Sequence, residues 1–218
     1  MSTVHLQHNR ITLALHQLRE GTGRPLLLLH GLGEKGVNMS NIDCVWNGPV
    51  WALDFTGHGD STVPRGGGYS SEILMADVDI ALRHLGPCTL LGRGIGAYIA
   101  FLISGARPAL VRGAILVDGP GIAGGPIHAT STGEFTSPGP RVGHAPDPWA
   151  LFELSRDARP PNYALTFIGL AKAGSGIEDP IAVTCTVNPP WVEAIRAEAG
   201  VLTDISVQEA LDIYAAIN

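Results

Sequence analysis

Four short stretches of this chain are apolar on consecutive positions, and each runs into a glycine turn or an acid. Residues 25–29 (Pro-Leu-Leu-Leu-Leu) lead into His30-Gly31-Leu32-Gly33, and residues 50–54 lead into Phe-Thr-Gly-His-Gly-Asp60. Residues 88–91 lead into Gly92-Arg-Gly-Ile-Gly96, and residues 113–117 into Asp118. A strand apolar on both faces has to be covered on both faces, which is the condition of a buried parallel sheet. Between the runs the period changes. Residues 71–85 carry Ile73, Leu74, Val78, Ala81, Leu82 and Leu85 at helical spacing, with Ser70 or Ser71 placed to cap the start. Residues 97–104 are apolar all round, as a central helix requires. Strand and helix in alternation specify an α/β fold, a mostly parallel central sheet flanked by helices with right-handed crossovers.

The rest of the chain fits around that core. Residues 4–18 alternate about His-Asn-Arg and read as an N-terminal hairpin. Residues 119–148 lose all regularity and are rich in Gly, Pro, Ser and Thr, so a short irregular lid is expected there. Helical patterns return at residues 149–155 and 163–173, a strand at 181–187, and amphipathic helices at 190–199 and 207–217. With 218 residues and no internal repeat or linker, the chain is expected to form a single domain over residues 1–218.

Composition excludes several classes of function. A net charge of −6 with no run of Lys or Arg gives no footing on a phosphate backbone, so nucleic-acid binding is not expected. The apolar runs are far shorter than a membrane span, and the start MSTVHLQHNR has no apolar signal core, so no membrane partner and a cytoplasmic location are expected. Cys44, Cys88 and Cys185 are too scattered for a disulfide framework. None of the eight histidines forms the close pair that builds a metal site, so neither metal nor cofactor is expected. No histidine follows His144.

Three motifs stand in register: His30-Gly31-Leu32-Gly33 after one strand, Gly57-His58-Gly59-Asp60-Ser61 after the next, and Gly92-Arg93-Gly94-Ile95-Gly96 at a strand-to-helix turn. In that order they resemble the α/β-hydrolase superfamily. The resemblance implies an α/β-hydrolase fold, an oxyanion loop at His30–Gly33, and a nucleophile elbow at Gly94. It also brings out a degenerate triad. The elbow residue is glycine where the family carries Ser, Cys or Asp, which removes a covalent acyl-enzyme at that position. The family's base belongs near residues 200–206, which read Gly-Val-Leu-Thr-Asp-Ile-Ser. The acid position after the penultimate strand reads Asn188-Pro189-Pro190, although Asp118, one strand earlier, occupies a place where some members carry the acid.

The backbone donors survive the loss of side chains. The N–H groups of Leu32 and Ile95 are expected to converge as an oxyanion hole at a helix N-terminus. Around them His30, Gly31, Arg93, Gly94 and Trp149 are candidate substrate-binding residues. His30 is expected to brace the loop, Arg93 either to offer a cation to a phosphopantetheine or carboxylate group or to be solvated, and Trp149 to line a pocket for a flat acyl group. Asp118 is the candidate surviving acid or the cap of the following turn, and His128 and His144 are candidate lid-borne bases.

Three functions fit these residues. The first is a non-hydrolytic acyltransferase that holds an acyl ester or thioester, on a small molecule or a carrier protein, for direct transfer to an external nucleophile, as in natural-product pathways. The second is a non-catalytic binding or scaffold protein that keeps the fold without turnover. The third is a hydrolase or lyase using His128 or His144 as its base.

Overall fold

A computed structural model describes residues 2–42, 44–125 and 143–217. Eight strands form one sheet in the order β1-β2-β4-β3-β5-β6-β7-β8. The expected hairpin is β1 (Ser2–His8) with β2 (Ile11–Arg19), paired antiparallel from Ser2–Gln17 to His8–Ile11. It joins the sheet by an antiparallel contact to β4 (Val50–Leu53). Beyond it β4, β3 (Leu26–Leu29), β5 (Cys88–Arg93), β6 (Val111–Val117), β7 (Ile181–Val183) and β8 (Val201–Leu202) are all parallel.

The central strands are apolar on both faces because each face has its own cover. Leu27, Leu29 and Leu90 belong to a core formed with α1 (Ser71–Leu85), α2 (Ile95–Ala106), α4 (Pro161–Ser175) and α5 (Pro190–Arg196). Their neighbours Leu26, Leu28 and Leu91 point the other way, into a core with Ala210, Leu211 and Tyr214 of α6 (Val207–Ala215). A period of two thus sends alternate leucines into separate cores. The remaining helix, α3 (Pro148–Arg156), starts with a proline at its first turn and the side chain of Asp147 accepting from the Trp149 N–H. No helix among the described residues is long and apolar enough to cross a membrane.

Two elements differ from the sequence expectation. The strand expected over residues 181–187 ends at Val183, because Asp118 captures the N–H groups of Thr186 and Val187 and turns the chain away. Residues 201–202 add an eighth strand beside β7, too short to leave a periodic signal. The segment 119–148 is described only in part. Residues 119–125 run beside the elbow with Ile122 buried and Pro120 and Ala123 exposed, whereas residues 126–142, with His128, lie outside the described residues.

The glycine turn after β5 is a packing requirement. A Cβ on Gly96 would overlap the Leu29 carbonyl and stand 2.6 Å from the Leu29 carbonyl carbon, so α2 crosses β3 at backbone contact. Replacing Gly96 with alanine is therefore expected to lower stability by about 3 kcal/mol or more. Urea denaturation checks it, and a loss below about 1 kcal/mol would mean that α2 can ride higher on the sheet.

Candidate functional site

The turn between β5 and α2 keeps the shape of a nucleophile elbow. Gly94 has φ 61° and ψ −121°, a conformation that an L side chain adopts only under strain. Its N–H donates to the Val117 carbonyl (3.0 Å), and α2 begins at the next residue. The expected oxyanion donors are brought together. The Leu32 N–H (3.0 Å) and the Ile95 N–H (2.9 Å) point at a single acceptor.

That acceptor belongs to the protein. Both N–H groups donate to the carbonyl oxygen of Pro120, two residues beyond the end of β6 and its following Asp118. The same carbonyl fills the space a nucleophile would need, since a Cβ on Gly94 would overlap Pro120 O and stand 2.7 Å from the Gly119 carbonyl carbon. Gly119 and Gly121 permit this approach: a Cβ on Gly121 would lie 2.8 Å from the Leu32 Cβ, and one on Gly119 2.9 Å from the Gly94 nitrogen. A peptide carbonyl thus accepts both N–H groups, with the partial negative charge that a helix N-terminus favours.

The residues after Pro120 are anchored along their length. Arg159 donates to the carbonyl of Ile122 (2.6 Å) and to that of Gly121, and the Trp191 indole N–H donates to Ile122 as well (2.9 Å). The Ile122 side chain is buried in the main core, and the Gly125 N–H donates to the Asp157 carbonyl (2.9 Å). Arg159 is itself buried, with its guanidinium carbon 4.7 Å from the centre of the Tyr98 ring, and burial lowers its pKa to about 10. Its Nε and Nη2 find no hydrogen-bond partner among the described residues, so its donors are spent on the plug alone. Trp191 is packed against Tyr98 and Phe101 at 5.0 and 5.6 Å and lines no open pocket for an acyl group.

The oxyanion loop is braced from the other side. The Phe55 N–H donates to His30 Nε2 (3.1 Å), which therefore has to be the unprotonated nitrogen, leaving Nδ1–H to donate to the Gly31 carbonyl (2.8 Å). Burial lowers the pKa of His30, so the imidazole is held neutral in a structural role. His58, 5.1 Å from it ring to ring, is also buried and is pushed down to about 4 by burial and then by the neighbouring His30. Glu34 accepts from the Gly31 N–H (2.9 Å) and pairs with Arg93. The cation expected at the elbow is therefore engaged by the oxyanion loop, and the Arg93–Glu34 pair ties the two halves of the hole together.

The Leu32 and Ile95 N–H groups both donate to Pro120 and to none of the remaining candidates. Asp118 accepts from the Thr186 N–H and hydroxyl (2.8 and 2.7 Å) and from the Val187 N–H (3.0 Å). Burial raises its pKa, but these bonds outweigh it and leave the carboxyl below its ordinary value. This is the turn-capping use of an aspartate at a strand end. His144 is exposed in the segment before α3, and Trp149 opens that helix, edge-on to Phe152 at 5.9 Å. Sequence reasoning missed Pro120, Glu34 and Arg159. The signal for Pro120 was the Gly-Pro-Gly that follows Asp118, an acceptor flanked by residues that allow backbone contact.

A model of the alpha/beta hydrolase family matches residues 26–212. The (E)-2-((N-methylformamido)methylene)succinate hydrolase of Acinetobacter baylyi is 29% identical over 122 residues, which cover 54% of this chain and 44% of that protein. The chain thus spans less than half the length of that curated relative. Among solved structures, a membrane phospholipase A superposes with a TM-score of 0.56 at 19% identity, covering 99% of this chain and 84% of that one. That is a likeness of fold. A hypothetical protein of Pseudomonas aeruginosa PAO1 is 29% identical with a TM-score of 0.49, over 55% of this chain and 44% of that chain.

The plug predicts the outcome of restoring the missing side chain. Gly94→Ser would place a Cβ on the Pro120 carbonyl and force an L residue to φ 61°. We expect a loss of about 2–5 kcal/mol in urea denaturation, from about 1–3 kcal/mol of backbone strain plus overpacking. Stability equal to the parent would show that residues 119–121 move aside at little cost.

Proposed function

Because the chain belongs to the alpha/beta hydrolase family, whose model matches residues 26–212, we propose that it is a non-hydrolytic member serving as a binding or scaffold protein. One observation carries this reading: the Pro120 carbonyl takes both oxyanion N–H groups and the space above Gly94. Loss of the nucleophile alone would leave a site able to hold an acyl carbonyl. Loss of the hole as well leaves no place for the developing oxyanion, a contribution on the order of 3 kcal/mol per donor in acyl-transfer enzymes. The loop after β8, where the resemblance places the family's base, reads Thr203-Asp204-Ile205-Ser206 and carries no histidine.

Direct acyl transfer, the first function expected from the sequence, requires Pro120 to leave the hole. Departure would strand two N–H groups until a substrate arrived, at about 1–3 kcal/mol each, and would strain the bonds from Arg159 and Trp191 to the next two carbonyls. A lid-borne base requires His144 or His128 to act on a water with no vacant oxyanion site beside it.

Two assays test the proposal. Hydrolysis of p-nitrophenyl acetate and butyrate, and acetyl transfer from a thioester to a free thiol or amine, are both expected to proceed at the rate of buffer. Transfer proportional to protein concentration would establish the acyltransferase reading instead. Ester hydrolysis lost in His144→Ala or His128→Ala would establish the histidine-dependent one.

A further inference from the structure

A cavity lies between the turn of the N-terminal hairpin and the first half of α1. Its volume is about 620 Å³, within the range of small-molecule sites. Its walls are largely apolar, from Ile11 on the hairpin and Ile73 and Ala76 on α1, and Thr56 and Asp77 also line it. His8 and Arg10, both exposed, are on the hairpin side. Ile73 is 40% exposed, a large apolar side chain facing solvent.

The Asp77 carboxylate sets this cavity apart. Asp77 is only 3% exposed. Its two oxygens accept from the N–H and the hydroxyl of Thr56, at 2.8 and 2.9 Å. Each carboxylate oxygen has room for a second donor. None of the ion pairs among the described residues includes it. Burial outweighs the two hydrogen bonds and raises its pKa to about 7. A buried acid without a countercharge is costly, and a cation delivered into the cavity would remove that cost.

We propose that this cavity binds a small molecule with an apolar body and a single ammonium group, the ammonium hydrogen-bonding to Asp77 and the body lying on Ile11, Ile73 and Ala76. A compact ammonium suits the carboxylate, and the apolar walls suit an aromatic or alkyl body. The other charged and titratable groups lining the cavity are His8 and Arg10 on the hairpin, and neither is ion-paired with Asp77. The positive charge of Arg10 disfavours a second cationic centre on the ligand. This site does not depend on the state of the elbow, so it stands or falls separately from the proposed function.

Isothermal titration with 2-phenylethylamine, 2-phenylethanol and 3-phenylpropanoate tests it on the intact protein. At pH 8 the amine is expected to bind at least tenfold tighter than the alcohol or the acid. Asp77 is ionised above about 7 and protonated below it, so the amine's affinity should fall by roughly tenfold or more between pH 8 and pH 5.5. Asp77→Asn should remove the preference for the amine, and Ala76→Trp, which fills the cavity from a half-buried helix position, should abolish binding of all three. Equal or tighter binding of the alcohol or the acid at pH 8 overturns the proposal, as does an amine affinity unchanged with pH or no binding at millimolar amine. These arms need no variant to fold.

Discussion

Two amide protons at the entrance to a buried helix need an acceptor, and most of what is unusual in this protein follows from the one they have. In an open acyl-transfer site the N–H groups of Leu32 and Ile95 would wait for a substrate, with water in its place. Here the Pro120 carbonyl takes both, at 3.0 and 2.9 Å. The choice of residue matters: proline brings no N–H of its own into the space above Gly94, and glycines on either side let the backbone approach. With the acceptor supplied by the chain itself, the donors at the elbow are satisfied within the fold.

The surrounding residues support this arrangement from several directions. His30, neutral and buried, joins the oxyanion loop to the start of the segment after β4 through its two ring nitrogens. Glu34 joins that loop to Arg93 at the elbow. Arg159 and Trp191 hold the two carbonyls that follow Pro120. His30, Arg159 and Trp191 are buried polar groups satisfied by backbone partners, so releasing any one of them costs more than an exposed hydrogen bond would. A site that opened and closed freely would be built with fewer such ties.

Much of the fold was legible in the sequence because it rests on periodicity. The buried strands, the helix at Ser71–Leu85 and the central helix after the elbow stand where their apolar patterns put them. The elbow itself was readable as Gly94 in a glycine turn, as was the pairing of donors at Leu32 and Ile95. What filled the hole was not readable, because a backbone carbonyl carries no side-chain signature and residues 119–125 have no period. Asp118 illustrates a similar limit: its place at a strand end suits an acid or a turn cap equally, and the bonds it accepts from Thr186 and Val187 appear only in the folded chain. The two-residue β8 and the early end of β7 were set by tertiary pairing that no local pattern encodes.

Amide hydrogen exchange at Leu32 and Ile95, followed by NMR, tests the occupied hole most directly. Bonded to Pro120, both amides should exchange as slowly as those of the central strand β5, through opening of the surrounding structure. Exchange at the rate of an exposed loop would mean that the carbonyl leaves the hole readily, and the protein would then have an oxyanion site open to substrate after all.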